Sequence, residues 1–403
     1  MSLDLAHRAG GGQALVAAER TRLRIALAVV KLFPGGGLQR DCLAIARALR
    51  ERGAGVTILT AERAAGTFAD DLPVEILKAP GRTNHGIQAA FATAVAAAAP
   101  RFEAVVGFNK MPGLDLLYCA DPSIAARIRR LSWRALLPRY RTFRRLEAGA
   151  FAPGAATRLL LLARPQAAAY RAAWGTEPER ITVLPPTGAP ARRQPGLRRD
   201  GTRERMRAAL GLGQGSDDEM VWLAVAVQPA IKGLDRTVAA LAARPEARLL
   251  VAGLAARDKA ARGTVRLAAK LGVADRIRWL GHREDVPAVM AAADVLVHPA
   301  RLDTTGTVIL EAVINGLPAV ASGVCGYAEH VALAEAGLVL PEPFAEADLA
   351  AALATAADPG RRAVWSANGA AYGETPELYA GLQSATDAIL AVATERAALR
   401  RGR

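Results

Sequence analysis

The stretch of sequence that decides the fold is Asp303-Thr-Thr-Gly-Thr-Val-Ile-Leu-Glu311. It follows an apolar run, Val295-Leu-Val-His298, which predicts a buried strand, and past Gly306 the apolar residues recur with helical spacing. A strand, a short loop with a glycine and a helix make one β–α unit of a parallel sheet. We therefore predict that Asp303 lies on the loop and that Glu311 lies in the second turn of the helix.

A site for a phosphorylated sugar is the first functional hypothesis for this stretch. The backbone N–H groups of Gly306, Thr307 and Val308 would form a helix N-terminus, and such an end binds phosphate well. Asp303 before it and Glu311 beyond it would offer carboxylates to sugar hydroxyls. The alternative is an N-capping aspartate followed by an ordinary surface glutamate, and this stretch by itself leaves both interpretations open.

The rest of the chain repeats the β–α pattern in two halves. Short apolar strands alternate with helices in both halves, which predicts an α/β protein with parallel, doubly wound sheets. Residues 187–205 lie between the halves, are rich in Pro, Gly and Arg, and predict a linker. We expect domains at residues 22–186 and 206–377, with a closing helix over residues 378–400.

Composition and charge limit the classes of function. The 403 residues are 52% hydrophobic, which is enough for two domains of ordinary size. We find no signal peptide and no run of the roughly 18 apolar residues that a membrane span needs. Three scattered cysteines without metal-ligand spacing fit a reducing compartment. The net charge of +14 predicts attraction to a polyanion. Because no nucleic-acid-binding motif is present, we favour an anionic membrane over nucleic acid.

The densest positive segment spans residues 127–145. No acidic residue lies between Asp121 and Glu147, and aromatic residues alternate with the arginines. A basic, amphipathic and aromatic segment is typical of an element that lies at a membrane interface. The alternative is a solvated helix whose apolar side belongs to the core. The residues assigned to the membrane contact are Arg127, Arg129, Arg130, Trp133, Arg134, Arg139, Tyr140, Arg141, Phe143, Arg144 and Arg145.

Several strings along the chain resemble one family of enzymes. They are Phe33-Pro-Gly-Gly-Gly-Leu-Gln-Arg-Asp41, Thr83-Asn-His-Gly86, Val106-Gly-Phe-Asn-Lys-Met-Pro-Gly-Leu-Asp115, Thr176-Glu-Pro-Glu-Arg180 with Leu184-Pro-Pro186, and Val324-Cys-Gly-Tyr327. Together with Asp303 and Glu311, they resemble the retaining glycosyltransferases of family 4, and among these the lipopolysaccharide core glucosyltransferases. The resemblance implies the GT-B fold: two Rossmann-like, doubly wound domains that face a central cleft. The acceptor would bind the first domain and the nucleotide sugar the second, and the last helix would pack back on the first.

The same resemblance implies an activity and a place in the cell. Members of the family transfer glucose from UDP-glucose to a heptose of the lipopolysaccharide inner core, at the cytoplasmic face of the inner membrane. We therefore expect a UDP-hexose donor, an inner-core acceptor and a cytoplasmic protein held at the anionic surface of the inner membrane. Family members need no metal ion, and we expect none here. Asp303 and Lys232 would be the catalytic residues.

The resemblance also assigns the binding residues. Those expected to bind the donor are Gly36, Gly37, Asp41, Arg192, Lys232, Arg283, Gly306, Thr307, Val308 and Glu311. Among them, Arg283 is the candidate for uracil, and Glu311 would hold the ribose while Asp303 acts on the hexose. Those expected to bind the acceptor are Asn84, His85, Asn109 and Lys110, whose polar groups suit a phosphorylated sugar.

Two positions depart from the family pattern. Ile231 stands where the family has an arginine beside Lys232, and Asp303 stands where it has a glutamate. Loss of one charge stabiliser typically lowers a rate by about 100- to 1000-fold. A carboxylate retracted by about one C–C bond can cost on the order of 100-fold. The alternatives left open are compensation by Arg192, Arg236 or Arg301, a catalytically impaired relative, an enzyme for another membrane lipid, and a basic protein without activity.

Overall fold

The protein, described here by a computed structural model, forms two compact units. The structure describes residues 23–34, 36–67, 69–128, 133–213 and 219–402. The first unit contains the chain up to Leu184 together with Gly381–Arg403, and the second contains Pro185–Ala380.

The first unit is built on a parallel sheet. Its strands are β1 (Arg24–Ala28), β2 (Lys31–Leu32), β3 (Gly55–Thr60), β4 (Glu62–Arg63), β5 (Val74–Ile76), β6 (Ala104–Gly107), β7 (Leu116–Cys119), β8 (Arg158–Leu161) and β9 (Ile181–Val183). Among the described residues, the main sheet has the order β5-β3-β1-β6-β7-β8-β9, and β2 pairs with β4. The order reverses between β1 and β6, and the loops after these two strands flank the crevice where such sheets bind ligands.

Helices cover both faces of this sheet. They are α1 (Gly37–Glu51), α2 (Asn84–Ala98), α3 (Ile124–Arg127), α4 (Pro138–Phe151) and α5 (Arg164–Trp174). Strand β1 is apolar throughout its buried length because both of its faces lie in the interior. Ile25 and Leu27 pack in one cluster with α1, whereas Ala26 and Ala28 pack in the other with Phe91 of α2.

The second unit repeats this plan. Its strands are β10 (Met220–Val225), β11 (Ala247–Ala252), β12 (Ile277–Gly281), β13 (Val295–His298), β14 (Ala319–Ser322) and β15 (Gly337–Leu340). Over the described residues the sheet has the order β12-β11-β10-β13-β14-β15, with parallel pairing. Here the order reverses between β10 and β13, so the loops after β10 and β13 flank the ligand-binding edge.

The helices of the second unit begin inside the segment predicted to be a linker. They are α6 (Thr202–Ala209), α7 (Pro229–Lys232), α8 (Leu234–Ala242), α9 (Arg262–Lys270), α10 (Val286–Ala292), α11 (Thr307–Ile314), α12 (Ala328–Leu333), α13 (Glu346–Ala356) and α14 (Pro359–Tyr372). Residues 187–205 belong to this unit rather than forming a free linker. The guanidinium of Arg198 donates to the carbonyl oxygens of Met290 (2.9 Å) and Ala293 (3.1 Å) at the end of α10. These bonds satisfy carbonyls that a helix end leaves unpaired.

The chain then returns to the first unit through α15 (Gly381–Arg401). Ala385, Ile389 and Val392 of α15 are buried in the same apolar cluster as Ile25 and Leu27. In the described part of the chain, no helix has the length and apolar character needed to cross a membrane.

Candidate active site

The reversal point of the second sheet brings a cation and a carboxylate together. Lys232 ends α7, which follows β10, and Asp303 lies on the loop that follows β13. Because β10 and β13 are paired in parallel, their carboxyl ends meet at one edge of the sheet. Lys232 Nζ lies 2.6 Å from Asp303 Oδ2, so the two predicted catalytic residues form an ion pair.

His298 is a third member of this cluster. It is the last residue of β13, its side chain is 2% exposed, and its Nε2 lies 2.9 Å from the same Oδ2 of Asp303. Burial raises the pKa of Asp303, whereas the hydrogen bond from His298 and the charge of Lys232 lower it. The lowering effects are larger together, so the pKa lies below the ordinary value of an aspartate. The carboxylate is therefore ionised and can only accept, so His298 Nε2 carries the proton.

The sequence pattern predicts His298 only as the end of a strand and does not predict its contact with Asp303. The one available signal was position: His298 precedes Asp303 by five residues at the carboxyl end of a strand. Oδ1 of Asp303 has no hydrogen-bond partner among the described residues, so it is available to accept from a ligand.

The loop and helix after Asp303 are arranged as predicted. Gly306 caps α11 with φ +76°, and a Cβ there would lie 2.8 Å from Ile309 Cδ1, so this position requires glycine. Helix α11 begins at Thr307, with Val308 beside it, and Glu311 lies in its second turn. The N-terminal amides of α11 are thus available at the same edge as Asp303.

Arg192 contacts the second acidic residue of the stretch. Its Nε lies 3.3 Å from Glu311 Oε1, and both side chains are partly exposed. Arg192 and Glu311 lie far apart in sequence, and the resemblance assigns each of them to donor binding. The structure places them in contact.

Both of the other candidates to replace the missing arginine have partners within the protein. Arg301 forms two hydrogen bonds of 2.7 Å with the carboxylate of Asp235. Arg236 lies 3.7 Å from the ring centroid of Phe344 and donates to the backbone. Ile231 is 37% exposed, and Lys232 is the cation that contacts Asp303.

Cys325 lies beside the same cluster. Ligand atoms of His298, Asp303 and Cys325 lie within 4.8 Å of one another, a grouping that the cysteine spacing did not predict. Burial raises the pKa of the Cys325 thiol strongly. The ammonium of Lys232 already neutralises Asp303. The cluster therefore contains an ion pair within the protein.

Arg283 lies elsewhere. It follows β12, an edge strand two positions from β10 in the sheet, and its guanidinium pairs with Asp285 at 2.7 and 2.5 Å. The structure thus does not bring this predicted uracil contact to the reversal point.

The glycine loop of the first unit follows β1. Gly35 lies outside the described residues, Gly36 caps α1, and a Cβ at Gly37 would have no atom within 4 Å. The backbone at Gly37 is therefore accessible to a ligand. Asp41 of α1 accepts a hydrogen bond of 3.0 Å from the hydroxyl of Tyr118, and burial raises the pKa of this carboxyl.

Three of the four predicted acceptor residues line one cavity of the first unit. Asn84, Asn109 and Lys110 border a space of about 280 Å³ at the reversal point of the first sheet. Oδ1 of Asn109 accepts from the N–H of Val30 at 2.8 Å, which fixes the amide and leaves its NH2 as a donor. His85 does not line the cavity; its ring stands edge-on to Phe143 with the centroids 6.4 Å apart.

A buried glutamate, which the sequence pattern does not predict, contacts several residues that line this cavity. Glu147 is fully buried and lies 2.8 Å from Lys110 Nζ. It also accepts from the hydroxyl of Ser123 (2.8 Å), the indole of Trp174 (2.8 Å) and the amide of Ile124 (2.7 Å). Burial raises the pKa of Glu147, but Lys110 and these donors lower it below its ordinary value.

The side chains of the basic segment, residues 127–145, lie on two different surfaces. Arg127 and Arg139 line the cavity together with Phe143, whereas Trp133 and Leu136 are 67% and 75% exposed. The segment is not one continuous amphipathic helix, because a 3-10 turn over Trp133–Leu136 precedes α4. Arg129 and Arg130 lie outside the described residues.

The remaining arginines of the segment lie on the turn and on α4. Arg134 lies 5.8 Å from the ring of Trp133, and Arg144 lies 5.7 Å from that of Trp174. Arg141 is exposed, while Tyr140 and Arg145 belong to the same helix.

Comparison with known proteins places this site in a family. Residues 213–371 match the family model of the glycosyl transferases group 1. The chain is 36% identical over 380 residues to the lipopolysaccharide glucosyltransferase WaaG of Escherichia coli (strain K12), an alignment that covers 91% of this chain and 98% of that protein. The crystal structure of a WaaG, a glycosyltransferase of lipopolysaccharide biosynthesis, superposes with a TM-score of 0.81 at 35% identity, covering 91% of this chain and 99% of the other.

A more distant structure shares the architecture. Anabaena HepE in complex with UDP and glucose superposes with a TM-score of 0.68 at 19% identity, covering 92% of this chain and all of the other. At that identity the likeness concerns the fold alone. The chain therefore belongs to the group 1 glycosyltransferases, in the family of WaaG, and is a glycosyltransferase with the GT-B fold.

Proposed function

We propose that this enzyme transfers a hexose, with glucose as the first candidate, from a UDP-sugar to a heptose of the lipopolysaccharide inner core. The observation that carries the proposal is the pairing of Lys232 with Asp303 beside the N-terminus of α11. A cation, open helix amides and an ionised carboxylate at one sheet edge suit a sugar diphosphate. A relative whose alignment covers 91% of this chain is named a lipopolysaccharide glucosyltransferase.

Each part of the donor molecule binds the residues whose charge suits it. Lys232 and the amides of Thr307 and Val308 bind the diphosphate, Glu311 holds the ribose, and Asp303 accepts from a hexose hydroxyl. Arg192, paired with Glu311, steadies that carboxylate. Gly36, Gly37 and Asp41 of the first unit remain proposed donor contacts, and Arg283 remains the proposed uracil contact.

The reaction retains the configuration at the anomeric carbon. The bond from C1 to the diphosphate oxygen breaks, and the acceptor hydroxyl oxygen forms a bond to C1 on the same face. The hydroxyl proton passes to the departing phosphate oxygen. Lys232 and the helix amides stabilise the negative charge that develops on the diphosphate, and the reaction needs no metal ion.

The acceptor binds in the cavity of the first unit. Asn84 and the NH2 of Asn109 donate to sugar hydroxyls, Lys110 supplies a cation, and His85 lies beside the cavity. Arg127 and Arg139 form no ion pair with the described residues, so they can bind an anionic group of the acceptor. A phosphate or a carboxylate of the inner core would meet this requirement.

The enzyme acts as a peripheral protein on the cytoplasmic face of the inner membrane. Trp133 and Leu136 expose large apolar surfaces, and Arg134 lies between them in the same turn, 5.8 Å from the ring of Trp133. Aromatic and aliphatic side chains enter the headgroup region, while arginines attract anionic lipids.

One experiment tests the reaction directly. Purified lipopolysaccharide truncated at the heptoses is incubated with the protein and a panel of UDP-hexoses, once in EDTA and once with Mg²⁺, and the products are weighed by mass spectrometry. We expect addition of one hexose in both conditions, with UDP-glucose most effective. Product only with Mg²⁺ would contradict the metal-independent mechanism. If no donor gives a product with this lipopolysaccharide while the same protein transfers a hexose to another membrane lipid, the acceptor assignment is wrong.

A further inference from the structure

We infer that His298 is a positioning residue for glycosyl transfer: it holds Asp303 by Oδ2 so that Oδ1 accepts from a hydroxyl of the donor hexose. The inference rests on the proposed role of Asp303 and adds the residue through which that role is maintained. His298 itself does not touch the substrate, because its side chain is buried behind the carboxylate.

The geometry of the carboxylate supports this inference. Both described partners of Asp303, Lys232 Nζ at 2.6 Å and His298 Nε2 at 2.9 Å, contact the same oxygen. Oδ2 is therefore fully engaged with the protein, and Oδ1 is the oxygen left for a ligand. An aspartate has few torsions, so fixing one oxygen fixes the other as well.

Binding of the donor makes His298 more important. A sugar diphosphate competes for Lys232, since an ammonium is attracted to two phosphate groups more strongly than to one carboxylate. As Lys232 turns toward the diphosphate, Asp303 loses its shorter contact. His298 cannot follow, because it ends a central strand and its ring is buried, and so it keeps the carboxylate in place.

Four variants test the inference: His298→Gln, His298→Asn, Asp303→Ala and the double variant His298→Asn with Asp303→Ala. A glutamine can place its NH2 near the position of Nε2, whereas an asparagine is too short to reach Asp303. Both are neutral amides in the same buried place, although asparagine is one methylene shorter and fills less of that space. His330→Leu, at another buried histidine of the second unit, controls for loss of stability.

We expect His298→Asn to lower kcat by about 10- to 100-fold, the cost of a misplacement on the order of 1 Å. His298→Gln should restore most of the rate, and UDP affinity and the KM for UDP-glucose should change little in either variant. In the Asp303→Ala background, His298→Asn should have almost no further effect, because a residue that acts through Asp303 is coupled to it.

Three outcomes would overturn the inference. The first is equal loss of kcat in the Gln and Asn variants, which indicates damage to packing. The second is a full additional loss in the Asp303→Ala background, which indicates an independent role. The third is normal kcat in His298→Asn while Asp303→Ala is inactive. If Asp303→Ala itself keeps full turnover, the proposed role of Asp303 fails first, so the two failures are distinguishable.

Discussion

Lys232 and Asp303 lie 71 positions apart in the chain, and their charged atoms are 2.6 Å apart in the structure. The contact exists because Lys232 follows β10 and Asp303 follows β13, the two strands at which the sheet order reverses. It places one positive charge at the site even though Ile231 replaces the second cation expected from the family. The ion pair also leaves Lys232 partly exposed, at 28% of its side chain, and so within reach of a ligand.

Replacing this cation should weaken diphosphate binding. We expect Lys232→Met to lower UDP affinity by about 10- to 100-fold, because a hydrogen bond to a charged group contributes about 1.5–3 kcal/mol. Calorimetry with UDP in EDTA measures the change. Lys232→Arg keeps the charge and should retain most of the affinity. Unchanged affinity in Lys232→Met would show that another group binds the diphosphate.

Replacing the second carboxylate should affect UDP and UDP-glucose equally. Glu311→Ala removes a proposed ribose contact that both ligands share, so both dissociation constants should rise by about 10-fold. Turnover at saturating donor should fall much less, since the lost interaction is present in the ground state and the transition state alike. Asp303→Ala is the matched control, with turnover reduced and UDP affinity kept. A loss for UDP-glucose alone in Glu311→Ala would place Glu311 on the hexose.

The two arginines at the cavity should act on the acceptor. We expect Arg139→Gln or Arg127→Gln to raise the KM for a soluble, lipid-free inner-core oligosaccharide by about 10-fold, with the KM for the donor unchanged. Arg144→Gln removes the same charge from the same helix as Arg139 but lies against Trp174, and should have little effect. An equal effect of Arg144→Gln would mean that net charge, rather than the cavity, determines acceptor binding.

The exposed apolar pair should determine membrane binding. Trp133→Ser with Leu136→Ser should reduce sedimentation with phosphatidylglycerol vesicles by at least about 10-fold, because burial of each side chain contributes about 1.5–3 kcal/mol. Leu333→Ser, at another exposed leucine, is the control. Binding by the parent should also fall as salt rises, since a Debye length of about 10 Å at 0.1 M screens the arginines. Equal sedimentation of the double variant and the parent would place the membrane contact elsewhere.

Glu147 should make the first unit sensitive to acid. Its pKa is lower in the folded state than the ordinary 4.5, so its stabilisation is complete above that value and is lost as the pH falls through the folded pKa. Glu147→Gln leaves Lys110 buried without its partner and should destabilise the protein at pH 7 by about 3 kcal/mol. Urea unfolding across this pH range should show a steep slope for the parent and a flatter one for the variant. Parallel slopes would show that other carboxyl groups govern the acid response.

Local pattern predicted the parts of the site that are adjacent in sequence. The position of Asp303 on a loop and of Glu311 in the second helical turn follows from residue spacing and one glycine, and the structure confirms both. The parallel, doubly wound sheets followed from the alternation of short apolar strands with helices. These features depend on interactions within one β–α unit.

Contacts between segments that lie far apart in sequence could not be predicted from this local pattern of residues. The pairing of Arg192 with Glu311, the ring of donors around Glu147 and the contact of His298 with Asp303 all depend on which strands and loops become neighbours. The same holds for Arg198, whose place in a Pro- and Gly-rich segment predicted a linker, but which binds carbonyls about 90 residues away. Likewise, the packing of α2 against α4 determines which arginines around residue 139 line a cavity and which lie on an exposed face.

The return of α15 to the first unit has a consequence for how the chain is made. An N-terminal domain usually folds while the rest of the protein is still being synthesised. Here the buried residues Ala385, Ile389 and Val392 complete the core of the first unit, and they are translated only after the whole of the second unit. The second unit is continuous from Pro185 to Ala380 and can close earlier. The core of the first unit is thus completed only after the second unit has been translated, and until then its open apolar surface is available to chaperones.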